Sequence, residues 1–183
     1  MTLRPCVDCL AGKQHRVAFC TPTTPHHAND ILDLVHTDVC SMTENSLSGA
    51  LYFVTFIDDH SRKIFAYVLK NKYQVLDAFK EFHAKVERET DKNLKCIRSD
   101  NGGEYRGPFE RYCRMHGNRQ QKTMPKIAQQ NGLAERMNRT LTDRVTAILS
   151  HAKLPNQFWA EALMNVVYVL NLSPCVPLKG YIP

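Results

Sequence analysis

Three carboxylates set the chemistry within reach of this chain: Asp38, Asp100 and Glu135. Asp100 lies in Ser99-Asp100-Asn101-Gly102-Gly103-Glu104-Tyr105. It follows a short apolar, β-prone run from Leu94 to Ile97, so it belongs where a strand ends. Gly102 and Gly103 let the backbone turn tightly and leave room beside the carboxylate. Glu135 lies in Gln129-Gln130-Asn131-Gly132-Leu133-Ala134-Glu135-Arg136, one turn into a long amphipathic helix. A carboxylate at a strand end and another on a helix converge when the helix packs back on the sheet. Asp38, near the end of a second alternating segment, is the candidate third member. Two or three converging carboxylates suit Mg2+, which takes hard oxygen ligands and keeps several waters. A metal pair held that way activates a water or hydroxyl and stabilises the leaving oxygen in phosphodiester chemistry. Taken singly, each residue has a plainer role. Asp100 reads as a turn residue, Asp38 as an ordinary strand Asp, and Glu135 as a solvated carboxylate near the positive end of a helix dipole.

The elements that must position these residues follow from periodicity. Residues 1–20 hold Cys6 and Cys9, half of the four ligands that a tetrahedral zinc site needs. Residues 21–29 are a linker by composition, and a globular core is expected over 30–183. Leu32 to Cys40 alternates and predicts a strand. Leu51 to Ile57 is a continuous apolar run and predicts a buried strand, and Ile64 to Leu69 predicts a third. Tyr73 to Glu89 is helical, with Val75, Leu76, Phe79, Phe82 and Val86 as its apolar stripe. After the strand before Asp100 come a short helix, Pro108 to His116, and an edge strand, Arg119 to Thr123. A long helix runs from Asn131, its expected N-cap, to Lys153, with a stripe of Met137, Leu141, Val145, Ile148 and Ala152. Pro155 stops it, and a last helix starting at Asn156 carries Trp159, Leu163, Val166 or Val167, and Leu170. Three antiparallel strands, a helical crossover and parallel strands make an α/β fold: a five-stranded mixed sheet flanked by helices.

Composition limits the partners. The 183 residues carry 24 Lys+Arg against 18 Asp+Glu, a formal charge of +6, which favours an anionic partner such as nucleic acid. Hydrophobic residues make up 43%, enough for a real core. Seven scattered cysteines read as reduced thiols in a cytosolic or nuclear setting. No apolar run is long enough to span a membrane.

Read together, these motifs resemble the integrase catalytic core of copia-type LTR retrotransposons. The resemblance rests on Cys6-x-x-Cys9 with Gly12-Lys13; His36-Thr37-Asp38-Val39-Cys40; Tyr52-Phe53-Val54 through Asp58-Asp59-His60-Ser61-Arg62; the Asp100 and Glu135 motifs above; and Phe158-Trp159-Ala160-Glu161-Ala162. It implies an RNase H-like fold and a DDE triad of Asp38, Asp100 and Glu135 binding two Mg2+ (or Mn2+) ions. Two reactions are implied as well: 3′-end processing of the element's DNA and strand transfer into target DNA. A homo-oligomer and a nuclear place of action, or a cytoplasmic particle before nuclear entry, follow from the same resemblance. Lys122, Lys126, Gln130, Asn131, Arg136 and Arg139 surround the triad in sequence and are the candidate DNA contacts, with Arg139 one turn after Glu135. Asp58 and Asp59, at a hairpin turn, are assigned structural roles. Glu104 is read as support for the glycine turn, and His36 and His60 as packed or turn histidines.

The chain also departs from the family. The histidines that precede the Cys pair in the family's zinc module are not in this sequence, so no zinc is expected to bind at Cys6 and Cys9. Cys40 runs into Ser41-Met42 where the family reads Cys-Gly-Pro. Asp100 and Glu135 have 34 residues between them, one fewer than in the family, and the loss falls near Arg106-Gly107-Pro108. Pro125-Lys126-Ile127-Ala128 replaces a Pro-Tyr-Thr-Pro segment, and Asn118 stands where an isoleucine usually begins the edge strand. These changes bear on activity more than on fold. They leave two alternatives to an integrase core: a catalytically silent relic that binds DNA or self-associates, and an RNase H-like nuclease that cuts without joining.

Overall fold

The computed structural model describes residues 28–123, 131–175, 178 and 180–183. The zinc remnant at Cys6 and Cys9, nearly all of the linker, and Lys126 and Gln130 lie outside them.

Five strands form one sheet: β1 (Val35–Ser41), β2 (Tyr52–Asp58), β3 (Ile64–Leu69), β4 (Cys96–Ser99) and β5 (Arg119–Lys122). Their order is β3-β2-β1-β4-β5. β1–β2 and β2–β3 are antiparallel, whereas β1–β4 and β4–β5 are parallel. The helices are α1 (Val75–Thr90), α2 (Pro108–Met115), α3 (Gly132–Ala152) and α4 (Trp159–Asn171). The expected five-stranded mixed sheet with flanking helices is therefore present.

Every β2 residue after Tyr52 is buried, which is why its sequence is apolar without alternation. The first strand starts later than its alternation suggests. Leu32 sits in a turn at φ 65°, and its N–H donates to the Asp58 carboxylate at 2.8 Å. This turn leaves Asp38 in the middle of β1, not near its end.

Each face of the sheet has its own core. On one face α1 contributes Val75, Phe79, Phe82 and Val86, packed with Val35, Val54, Phe56, Ile97, Tyr105 and α2's Phe109. On the other face α3 and α4 cover Phe53, Ile57, Ile64 and Ala66 with Leu141, Val145, Trp159, Leu163 and Val166. Trp159 donates its indole N–H to Glu44 O at 3.0 Å, and Asn171 exchanges two hydrogen bonds with the Ile64 backbone at the edge of β3. These contacts pin both ends of α4.

The buried stripe of α3 differs from the expected one. Ala134, Asn138, Leu141, Val145 and Leu149 face the sheet and α4, while Ile148 is 43% exposed and Ala152 is exposed. Asn138, a polar residue held inside by two hydrogen bonds, takes an inward position, and Met137 packs against the same core partly buried. At the helix start Asn131 holds the N-cap position, but its side chain makes no cap. α3 stops at Lys153 in the left-handed region, two residues before Pro155.

Candidate active site

Asp38 lies opposite Thr55 in the β1–β2 ladder. On its other side β1 pairs with β4 only at Val35–Ile97 and His36–Arg98. Asp38 and Asp100 each lie two residues beyond that last pair, so the parallel register carries them to the same level of the sheet. From α3, Asn138 Nδ2 donates to Asp38 Oδ2 at 3.0 Å, and Thr55 Oγ1 donates to Asn138 Oδ1 at 2.8 Å. Asn138 is 3% exposed. Its role is not among the sequence expectations, although a polar residue inside an otherwise apolar stripe, one turn after Glu135, was the signal for it.

Asp100 is fixed by its own turn. Its Oδ1 accepts the Gly102 N–H at 2.9 Å, and Asn101 Nδ2 donates to Thr123 O at 2.7 Å just past β5. Gly102 is required by close approach. A Cβ there would stand 2.7 Å from the Glu104 carboxylate and 3.0 Å from Asp100 Oδ1. Glu104 thus leans over Gly102 beside Asp100, with Lys72 Nζ 4.0 Å away, in the turn-supporting position expected of it. Beneath the turn the fully buried Tyr105 shares a 3.1 Å hydrogen bond with Thr37 Oγ1.

Glu135 is exposed in the first turn of α3. It enters the same electrostatic neighbourhood as the two aspartates. The Asp38 carboxyl is pushed up to about 6, first by burial and then by the Asp100 charge, with Glu135 adding to it; the Asn138 hydrogen bond pulls the other way. The three acids therefore repel one another across one side of the sheet. They are not drawn into contact: among the described residues no three His, Cys, Asp or Glu side chains are close enough to hold a metal ion. The donor set, three oxygen acids without sulfur or imidazole, fits a hard divalent cation such as Mg2+ or Mn2+ better than zinc.

Arg136 and Arg139 are exposed beside Glu135, and the Arg136 guanidinium folds back toward Gly132. Two other candidate DNA contacts have partners within the protein. Lys122 is bonded to Glu110 of α2, which places its side chain on the sheet face opposite α3. Asn131 is 2% exposed and donates to Thr37 O at 3.3 Å, so it ties the start of α3 to β1 instead of meeting solvent. The physical reason is the same in both: a nearby protein acceptor captures the donor.

Asp58 and Asp59 have the expected structural roles. Asp58 accepts from Leu32 N and Ser61 N at 2.8 and 2.7 Å. Asp59 accepts from Ala28 N at 2.7 Å and meets His36 Nε2 at 3.1 Å and Arg62 at 3.2 Å. Burial alone would raise the Asp59 carboxyl, but His36, the Ala28 N–H and Arg62 hold it down at about 2. His36 is packed and His60 Nδ1 lies 3.0 Å from Ala28 O, as turn and core residues.

The chain is similar to known proteins in sequence and in fold. No family model matches the chain. It is 54% identical over 184 residues to the retrovirus-related Pol polyprotein from transposon TNT 1-94 of Nicotiana tabacum, covering 100% of this chain and 14% of that polyprotein. It is 33% identical over 172 residues to the retrovirus-related Pol polyprotein from transposon RE2 of Arabidopsis thaliana, covering 94% and 12%. The chain thus spans a small part, 14% or less, of these relatives' own length. In three dimensions 75% of the chain matches 48% of a chain in the cryo-EM structure of the simian T-cell lymphotropic virus intasome in complex with PP2A regulatory subunit B56 gamma. The TM-score is 0.62 at 19% identity, a likeness of fold. The intasome chain shares the fold, and the sequence match along the whole chain leads to one conclusion: the chain belongs, as a segment, to the Pol polyproteins of copia-type retrotransposons.

Proposed function

We propose that this segment is an integrase catalytic core that performs metal-dependent phosphoryl transfer on DNA, with Asp38, Asp100 and Glu135 as its metal-holding carboxylates. The observation that carries the reading is the strand register that brings Asp38 and Asp100 to one level of the sheet, with Glu135 in the first turn of α3 on the same side; the raised Asp38 carboxyl agrees with it. Burial and two neighbouring acids disfavour its charge, which is the environment a divalent cation relieves. Bound among these acids, two Mg2+ or Mn2+ ions would activate a water or a DNA 3′-hydroxyl and stabilise the departing oxygen.

The chain's own residues do the positioning. Asn138 and Thr55 hold Asp38 in one orientation from helix and strand. The Gly102 N–H holds Asp100, and Glu104 fills the space beside it. Glu135, exposed in the first turn of α3, is the third acid of the set. Arg136 and Arg139 supply phosphate contacts next to it, with DNA ends and target DNA as partners and further copies of the chain completing the assembly. Joining to target DNA would take place in the nucleus, with a cytoplasmic particle before nuclear entry as the earlier location.

One observation favours a second reading, a catalytically silent DNA-binding relic: among the described residues no three acids are grouped closely enough to hold a metal ion. Calorimetric titration of the chain with Mg2+ or Mn2+, set against Asp100→Asn, tests the choice. Saturable heat in the parent that the variant lacks supports the integrase reading. A folded parent without binding supports the relic. Joining of two labelled DNAs, as against cutting alone, then separates an integrase from a nuclease.

A further inference from the structure

Outside the carboxylates, the α3 side of the sheet carries a cation held in an unusual way. Arg98 on β4 is in register with His36 on β1, and so shares the sheet face of His36, Asp38 and α3. Its Nε and Nη2 both donate to Gln121 Oε1 of β5, at 3.2 and 2.9 Å. Most basic side chains with a described side-chain partner face a carboxylate: Lys122 with Glu110, Lys95 with Asp33, Lys92 with Asp30, Lys72 with Glu104. Arg98 forms no ion pair among the described residues. A neutral amide fixes the fork and leaves its charge uncancelled.

Among the described elements, the helices on that side pack chiefly on the other strands. α3 packs on β1 and β2, and α4 on β3, leaving β4 and β5 to a groove of about 320 Å3 lined by Arg98, Gln121, Lys122 and Thr123. Arg119, exposed and two residues before Gln121 on the same strand face, adds a second positive charge. Asp100 follows Arg98 by two residues, so the groove begins beside the candidate catalytic acids.

We infer that Arg98, preorganised by Gln121, is a phosphate clamp that leads a DNA strand across β4 and β5 toward Asp100. The inference rests on the integrase reading for its partner. Charge complementarity supports it. A polyanion passing a cluster of acids needs fixed positive charge immediately outside them, and a guanidinium held by an amide keeps its full charge and its remaining donors for phosphate. Such a contact fixes the path of the backbone without reading sequence.

The test is fluorescence anisotropy of a short labelled DNA duplex with the full chain, in EDTA and across a salt series. Arg98→Ala is expected to weaken binding about tenfold at low salt and to reduce the salt slope by about one phosphate contact. Gln121→Glu separates this role from a structural one, because it keeps Arg98 in place while neutralising it. A clamp predicts that Gln121→Glu weakens DNA binding while thermal stability holds or rises. A cross-strand brace predicts the same stability with unchanged DNA affinity. Unchanged affinity in both Arg98→Ala and Gln121→Glu, or no DNA binding by the parent, overturns the inference. Because EDTA removes metal, the outcome is independent of the calorimetric test. Metal binding lost in Asp100→Asn alongside unaltered DNA binding in Arg98→Ala leaves the integrase reading standing and the clamp refuted. The reverse pattern does the opposite.

Discussion

On the α1–α2 side of the sheet, Phe56 and Phe82 stack at 4.5 Å, and Phe79 and Phe109 at 4.7 Å, in one aromatic block with negligible exposure. On the α3 side, at the same depth, Thr55, Asn138 and Asp38 form a polar relay that ends in a carboxyl resisting its charge. Both faces are buried against helices, but they serve different ends. The first gains stability from dispersion and apolar burial. The second contains a group that opposes stability at neutral pH, the pattern of a site preserved for binding. The molecule places its reactive side chains on the face that can bear them because the other face anchors the sheet.

Three substitutions break or sharpen that contrast. The largest effect is expected from Phe79→Ala. It opens a cavity among Phe56, Phe82 and Phe109 and should cost about 3–5 kcal/mol in denaturant unfolding. A loss under about 1 kcal/mol would show that the aromatic face is not the anchor.

Asp38→Asn should act in the other direction. The folded carboxyl titrates at about 6, above its ordinary value, so the fold favours the protonated form. The stability that this preference contributes is complete below the unfolded pKa of about 4 and is lost as pH rises through about 6. Asparagine removes the loss, so the variant should be more stable than the parent by roughly 2–3 kcal/mol near pH 8. The two should converge near pH 4, roughly the unfolded carboxyl's own pKa. Thermal melts across pH check this, and a gap that stays constant with pH would refute it. Added Mn2+ should close the gap from the parent's side only.

The smallest change is expected from Asn138→Ala. It leaves Thr55 and Asp38 each short of one partner and should destabilise the protein by about 1–2 kcal/mol. Because the Asn138 hydrogen bond lowers the Asp38 carboxyl, losing it should move the pH at which stability falls upward. An unaltered pH profile would show that Asn138 does not hold Asp38 in solution.

Much of this architecture could be read without coordinates. Ile64–Leu69 is a strand at the bounds its apolar pattern predicts, and the Leu51–Ile57 run is β2 shifted by one residue. The decoys Asp58 and Asp59 were recognisable because a hairpin turn has its own use for carboxylates. Other points depended on distant partners. Asn118 looks like a defect at the start of an edge strand. It is buried, and with its amide oriented to satisfy both ends it donates to Leu94 O and His116 O and accepts from His83 Nε2. The shortened loop passes through Gly107 at φ 59° directly into α2.

The sequence by itself determined the order of elements, the residue types of the three acids and their placement beside turns and helix starts, because these depend on local periodicity and backbone preference. Only the tertiary structure decided that Asp38 sits mid-strand at the level of Asp100. It also decided that Asn138 turns inward, that Lys122 and Asn131 are captured by protein acceptors, and that Arg98, on the side of the acids, is held by an amide and forms no ion pair among the described residues. Each of these depends on strand register and on which donor reaches which acceptor across the sheet. Residues far apart in the chain settle such matters together, and no window of sequence contains them.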